Sequence, residues 1–282
     1  MHYIGIAERR SVDVQIMFDD RRLSKSNTVR FFVETADLAA RVLVDHLYAR
    51  TFPSIPGVDV GSAYVPAENN TRVGGDLVDV YQFNNGSMAI SVADISGKGA
   101  KAAARAALVK YALRAYVSAG LTPAQALRNL NVLYIETSEF DTGSPDSFVS
   151  VFLATIEPEH RVMTYASAGH GPAFLLRGGR PAEWLPPTAP IVGVFEESQK
   201  LFHQRFVYLE PGGSTLIVTT DGITEARTPD GRFFEQEEFM NCINANRLLP
   251  AQQQADQLVG GTRQFSGGRH QDDIAVMVAR FP

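Results

Sequence analysis

The chain has 282 residues, with 26 basic and 31 acidic side chains, a net charge of −5 and 45% apolar residues. That balance belongs to folded globular proteins and argues against both disorder and nucleic-acid wrapping. The single cysteine, Cys242, excludes an internal disulfide framework or a Cys-rich zinc module, so a reducing cytoplasm is the expected compartment.

Charges interrupt the opening stretch MHYIGIAERRSVDVQIMFDDRR every few residues, unlike the apolar centre of a secretion signal. No run of about 18 apolar residues occurs, so no membrane insertion is expected. Between Thr28 and Arg50, Phe32, Ala36, Ala39, Leu43 and Leu47 recur at spacings of three and four, which predicts one apolar helix face. Pro53 and Pro56 end it. This helix packs on its own domain or forms a dimer or regulatory contact, and the expected division is an extension over 1–52 and a main domain over 53–282.

From Gly57 the pattern turns to short β-rich runs, VDVGSAYV, DLVDVYQF and SMAISVADI, the last two joined by the hairpin signal Asn84-Asn85-Gly86. Two helices follow, Gly99 to Ala119 and Pro123 to about Phe140, the second capped by Thr122. A second block of strands comprises SFVSVFLATIE, RVMTYASAG, AFLLRGG, FHQRFVYLE and STLIVTTDG. Helices over Glu237 to Ala245 and Pro250 to Phe265 precede a last strand, IAVMVARF. Strands in blocks and helices in consecutive pairs predict a layered α+β sandwich with antiparallel sheets, not alternating βαβ units.

Acidic residues cluster at strand ends beside turns: Gly74-Gly75-Asp76, Ala93-Asp94-Ile95-Ser96-Gly97, Thr220-Asp221-Gly222 and Gln271-Asp272-Asp273. Any one Asp-Gly pair is an ordinary turn. Four remote repeats of the same design predict short oxygen ligands converging on one sheet rim. Such a set, without Cys or clustered His, selects Mg²⁺ or Mn²⁺ over zinc or copper. Carboxylates gathered without cations would repel and rise in pKa, and two divalent ions would relieve that repulsion.

The segments PAENNTRVGGDLVDVY, SVADISGKGAKAAARAAL, TYASAGHGPAFLL, VTTDGITEAR and QDDIAVMV, in this order, resemble the metal-dependent Ser/Thr protein phosphatases (PPM), specifically their bacterial SpoIIE/RsbU-like branch. The resemblance spans about Val58 to Arg280. It implies an α/β/β/α sandwich of two antiparallel sheets flanked by paired helices, with 53–282 as the catalytic domain. It further implies that Asp94 bridges two metals, joined by the backbone carbonyl of Ile95, that Asp76 helps hold one ion, and that Asp221 and Asp272 hold the other. Asp273 is then the adjacent acidic partner, and Asp79 a supporting or solvated side chain. Departures from the family pattern are Leu77-Val78 at a frequent aromatic pair, Lys101 at a common proline and Ala275 at a usual threonine; none removes a metal carboxylate.

The implied activity is hydrolysis of a phosphoserine or phosphothreonine ester by hydroxide held between two metal ions, without a covalent phosphoenzyme. The implied substrate is a phosphorylated STAS-domain anti-sigma-factor antagonist, in partner-switching control of transcription or stress response. An upstream activator or a second copy would act through the N-terminal helix. Rival chemistries lack their residues. Arg247 falls one position early for a cysteine phosphatase built on Cys242, Gly97-Lys98 lacks the other elements of a nucleotide loop, and Ser167 lacks the first glycine of a serine-hydrolase elbow. Two alternatives remain: a non-catalytic regulator-binding module and a small-molecule metal phosphoesterase. Lys98, Lys101 and Arg105 form a basic stripe that either steers substrate or is a solvated helix face; Arg72 is a candidate phosphate contact; His170 is either a general acid or a turn residue; and Cys242 is expected in helix packing.

Overall fold

A computed structural model describes residues 52–66, 75–97, 100–140, 147–195, 200–234, 236–268 and 272–282. The predicted Thr28–Arg50 helix, Arg72 and Lys98 lie outside the described residues. Strands are β1 (Asp59–Val65), β2 (Leu77–Gln82), β3 (Met88–Ile95), β4 (Val149–Glu157), β5 (Val162–Ala168), β6 (Ala173–Arg177), β7 (Glu183–Trp184), β8 (Arg205–Tyr208), β9 (Ser214–Thr219) and β10 (Ile274–Phe281). Helices are α1 (Ala100–Ser118), α2 (Pro123–Phe140), α3 (Gln236–Asn246) and α4 (Ala251–Phe265). Each predicted strand and helix in the described residues is present. The short β7 is an addition, since two residues are too few to carry an alternating pattern.

Local chemistry explains the boundaries. The β2–β3 hairpin closes where the Phe83 N–H donates to the Ser87 carbonyl at 2.8 Å, with Gly86 at φ +83°. Thr122 and Gln125 cap α2 reciprocally: the Thr122 N–H donates to Gln125 Oε1 at 3.0 Å and the Gln125 N–H to Thr122 Oγ1 at 3.5 Å. Along α1, Ala102, Ala106, Val109, Leu113 and Val117 are buried at helical spacing, so small residues let the helix lie close to its sheet.

One antiparallel sheet runs β1-β10-β9-β6-β7 and the other β2-β3-β4-β5-β8. Three apolar interfaces separate four layers. Ala93, Ile95, Val151 and Leu153 face Leu113, Leu127 and Leu130 of α1 and α2. Ile90, Val92, Phe152 and Tyr165 meet Leu216, Val218, Ala275 and Met277 between the sheets. Ile217, Val276 and Val278 pack on Phe239, Ile243, Ala255 and Leu258 of α3 and α4. Cys242 belongs to this last contact, its Sγ 3.2 Å from where a Cβ on Gly261 would stand. The fold is therefore the expected α/β/β/α sandwich.

Candidate active site

Strand alternation decides which side chains reach the rim. In β3, Met88, Ile90 and Val92 point between the sheets while Ala89, Ala93 and Ile95 point to the helices. Asp94 therefore projects between the sheets at the end of β3. The same parity puts Asp76 in line with Val78 and Val80, and Asp273 in line with Ala275 and Met277. Asp221 and Asp272 lie in the turns beyond β9 and before β10, at the same end of the sandwich.

The acids interact as a group. Asp76 is 3% exposed, and its carboxyl is raised well above the usual range by burial and then by the Asp94 charge, with Asp273 and Asp221 adding to it. Burial first, then Asp221, Asp272 and Asp273, push Asp94 up to about 7, while the neighbouring Asp76 side chain acts in the opposite sense. Burial also raises Asp221, with Glu225 and Asp272 adding to it. Asp273 is buried, whereas Asp272 is exposed and its Oδ1 accepts the Asp273 N–H at 2.9 Å.

Backbone features hold this rim. A Cβ on Gly75 would stand 2.3 Å from the Ile95 carbonyl oxygen, and one on Gly222 would stand 2.0 Å from the Asp273 carbonyl oxygen. Only glycine permits either approach. Beyond Ile95 the turn is pinned to β4: the Ser96 N–H donates to the Phe148 carbonyl at 3.0 Å, and the Phe148 N–H donates to Ser96 Oγ at 2.9 Å.

Thr220, which carries no signal of its own in the sequence beyond standing before Asp221, ties the two sheets together. Its hydroxyl donates to Asp76 Oδ2 at 2.6 Å and accepts the Ala275 N–H at 2.9 Å. Ala275, the departure from the usual threonine, thus meets Thr220 through its backbone. Glu225 is a further acid absent from the predicted set. A cavity of about 300 Å³ opens beside Asp272, lined also by Gly222, Glu225, Arg227 and Thr228.

One expectation changes. Asp79, three residues past Asp76, falls on the opposite face of β2, where it is neither at the rim nor solvated. At 1% exposure it receives Arg114 Nε and Nη2 at 2.6 Å each, with Lys110 Nζ at 3.4 Å, and so pins β2 to α1. His170 is 1% exposed, and burial lowers its pKa to about 4, which leaves the ring neutral and away from solvent. Of the basic stripe, Lys101 is exposed on the first turn of α1, and Arg105 is half-buried.

Among the described residues, no three His, Cys, Asp or Glu side chains are gathered tightly enough to form a finished metal-ligand set. The acids stand within reach of one another's charge. The donor chemistry nevertheless fits a hard divalent cation, since every side chain offered is a carboxylate and burial, then the neighbouring acids, raise the proton affinities of Asp76, Asp94 and Asp221.

Residues 84–282 match the family described as stage II sporulation protein E (SpoIIE). The chain belongs to the SpoIIE family. The phosphoserine phosphatase RsbU of Bacillus subtilis (strain 168) is 27% identical over 231 residues, 81% of this chain, which spans 64% of the length of RsbU. Among solved structures, the SiaA PP2C domain of Pseudomonas aeruginosa superposes with a TM-score of 0.72 at 19% identity, covering 91% of this chain and 98% of that one. RsbX in complex with magnesium superposes with a TM-score of 0.59 at 16% identity, covering 82% and 99%. These likenesses establish that this SpoIIE-family chain has the PP2C fold.

Proposed function

We propose that this SpoIIE-family chain is a metal-dependent serine/threonine protein phosphatase that hydrolyses phosphoserine or phosphothreonine on a phosphorylated STAS-domain protein, in partner-switching signalling. The observation that carries this reading is the convergence of five carboxylates on one rim, where burial and then the charges of Asp221, Asp272 and Asp273 raise Asp94 to about 7 and Thr220 joins Asp76 of one sheet to Ala275 of the other. The RsbU relative, named a phosphoserine phosphatase, supports the substrate class, and the magnesium of RsbX supports the cation.

Asp76, Asp94, the Ile95 carbonyl, Asp221, Asp272 and Asp273 would hold two Mg²⁺ or Mn²⁺ ions. When bound, such ions supply charge neutralisation for the phosphoryl oxygens and make a water acidic enough to attack at neutral pH. The protein's own part is to keep these oxygens in register. Thr220 fixes Oδ2 of Asp76 through its donated hydroxyl. Gly75 and Gly222 keep the Ile95 and Asp273 carbonyls clear of side chains. The cavity beside Asp272 gives room for residues flanking the phosphate, with Arg227 on its wall as a cation for them.

Extension 1–52 is proposed as the contact for an activator or a second copy, and the cytoplasm as the compartment. Phosphate release from a phosphorylated STAS protein, with and without Mn²⁺, tests the assignment. Mn²⁺-dependent release from the phosphoprotein in preference to p-nitrophenyl phosphate supports it. Release from the small ester alone favours a small-molecule phosphoesterase, and no release with either favours a binding module.

A further inference from the structure

The rim acids come from two sheets, Asp76 and Asp94 from one and Asp221, Asp272 and Asp273 from the other, so some element must set the gap between them. His170 sits in the β5–β6 connection, where the chain passes from one sheet to the other. Its Nδ1 lies 2.7 Å from the Oγ of Ser150 on β4. Nε2 is sealed from solvent and has no hydrogen-bond partner among the described residues, so Ser150 is the ring's polar anchor. The loop itself is fastened on both sides: Ser167 Oγ donates to the His170 carbonyl at 2.8 Å, and the Thr219 N–H donates to the Pro172 carbonyl at 3.0 Å.

Both ends of this bridge touch the acidic rim. Ser150 is the cross-strand partner of Asp94 in the β3–β4 ladder, and paired residues project from the same face of a sheet. Thr219 lies two residues before Asp221. The Thr219 N–H bond to the Pro172 carbonyl fixes the loop to one sheet, and the rigid His170 ring carries that fixed point to Ser150 on the other, which a flexible or apolar side chain does not.

We propose that His170 is a positioning residue, an inter-sheet strut that holds Ser150 against the Thr219 strand end and so sets the separation at which Asp94 and Asp221 receive divalent cations. This inference rests on the metal-dependent reading above. It assigns His170 no contact with substrate and no proton to transfer. Its neutral state at physiological pH suits a strut and not an acid.

The test uses the full chain and compares wild type, Ser150→Ala, Ser150→Thr and His170→Asn by calorimetric titration with MnCl₂, alongside circular dichroism and thermal melting. The expected result is Mn²⁺ affinity about 10-fold weaker in Ser150→Ala and His170→Asn, the scale seen when groups supporting metal ligands are removed. Ser150→Thr should restore it, and Ser150→Ala should melt within a few degrees of wild type. With saturating Mn²⁺, phosphatase kcat in Ser150→Ala should return to near the wild-type value, because the loss lies in cation affinity. Affinity within twofold of wild type in Ser150→Ala, or a loss that Ser150→Thr leaves in place, overturns the strut, even if His170→Asn fails to fold. A wild-type chain that binds no Mn²⁺ instead overturns the metal-dependent reading, and the strut's role falls with it.

Discussion

Replacing Asp94 with Asn should stabilise the cation-free protein while abolishing its Mn²⁺-dependent hydrolysis. Burial and three neighbouring acids raise the Asp94 carboxyl from 3.8 to about 7. A folded-state pKa above the unfolded one means the folded chain holds a proton that the unfolded chain releases. The associated stability is fully present below about pH 3.8 and is lost as pH rises through about 7. Each tenfold change in proton affinity is worth about 1.4 kcal/mol, which bounds the penalty above neutrality at about 4 kcal/mol. Because the Asp94 charge also raises Asp76 and the two titrate as a pair, about half that figure is expected, or about 2 kcal/mol. The Asn amide keeps the side chain's shape and removes its charge. For a domain of this size the gain corresponds to a melting temperature higher by about 4–8 °C. Melting in EDTA at pH 8 and pH 5, followed by circular dichroism, measures it, and the gap between variant and wild type should narrow at the lower pH. A variant that melts below wild type at pH 8, or a gap of equal size at both pH values, would refute the claim that the rim stores charge repulsion.

Asp79→Asn should act on stability alone. It strips an acid from Lys110, 3% exposed, and from Arg114, whose 36% exposure screens its share, so a loss of about 3 kcal/mol and about 6–12 °C is expected by thermal melting. Mn²⁺ affinity of the folded variant should match wild type, and a large change there would contradict the placement of Asp79 on the helix-facing side of β2. Thr220→Val keeps the shape but removes the donor at 2.6 Å to Asp76. Calorimetric Mn²⁺ affinity should fall about 10-fold, and unchanged affinity would count against a role for Thr220 in holding Asp76. Gly222→Ala drives a Cβ to 2.0 Å from the Asp273 carbonyl oxygen, so the urea midpoint should drop by the equivalent of about 2 kcal/mol or more; an unshifted midpoint would refute the tight approach.

Much of the rim was legible in the chain because aspartate beside a strand end is a local signature. What the pattern of acids did not reveal was which of them share a face. Asp79 stands an odd number of residues from Asp76, and strand alternation turns it to α1, where Arg114 receives it. Glu225 and Thr220 were missed for a different reason. Each lies within four residues of Asp221, but Thr220 acquires its role only through Asp76, which is 144 residues away in the chain.

By itself, the sequence determined the strands, the helix pairs, the hairpin at Asn84-Asn85-Gly86 and the capping of α2, because side-chain periodicity and turn chemistry act over a few residues. The order of strands within each sheet, the pairing of Asp94 with Ser150, the link made by His170 and the hydrogen bond between Thr220 and Asp76 were decided only in the tertiary structure. The physical reason is one of range. A carboxylate's proton affinity depends on burial and on charges a few ångströms away in space, and those neighbours come from chain segments whose spacing along the sequence carries no record of the meeting.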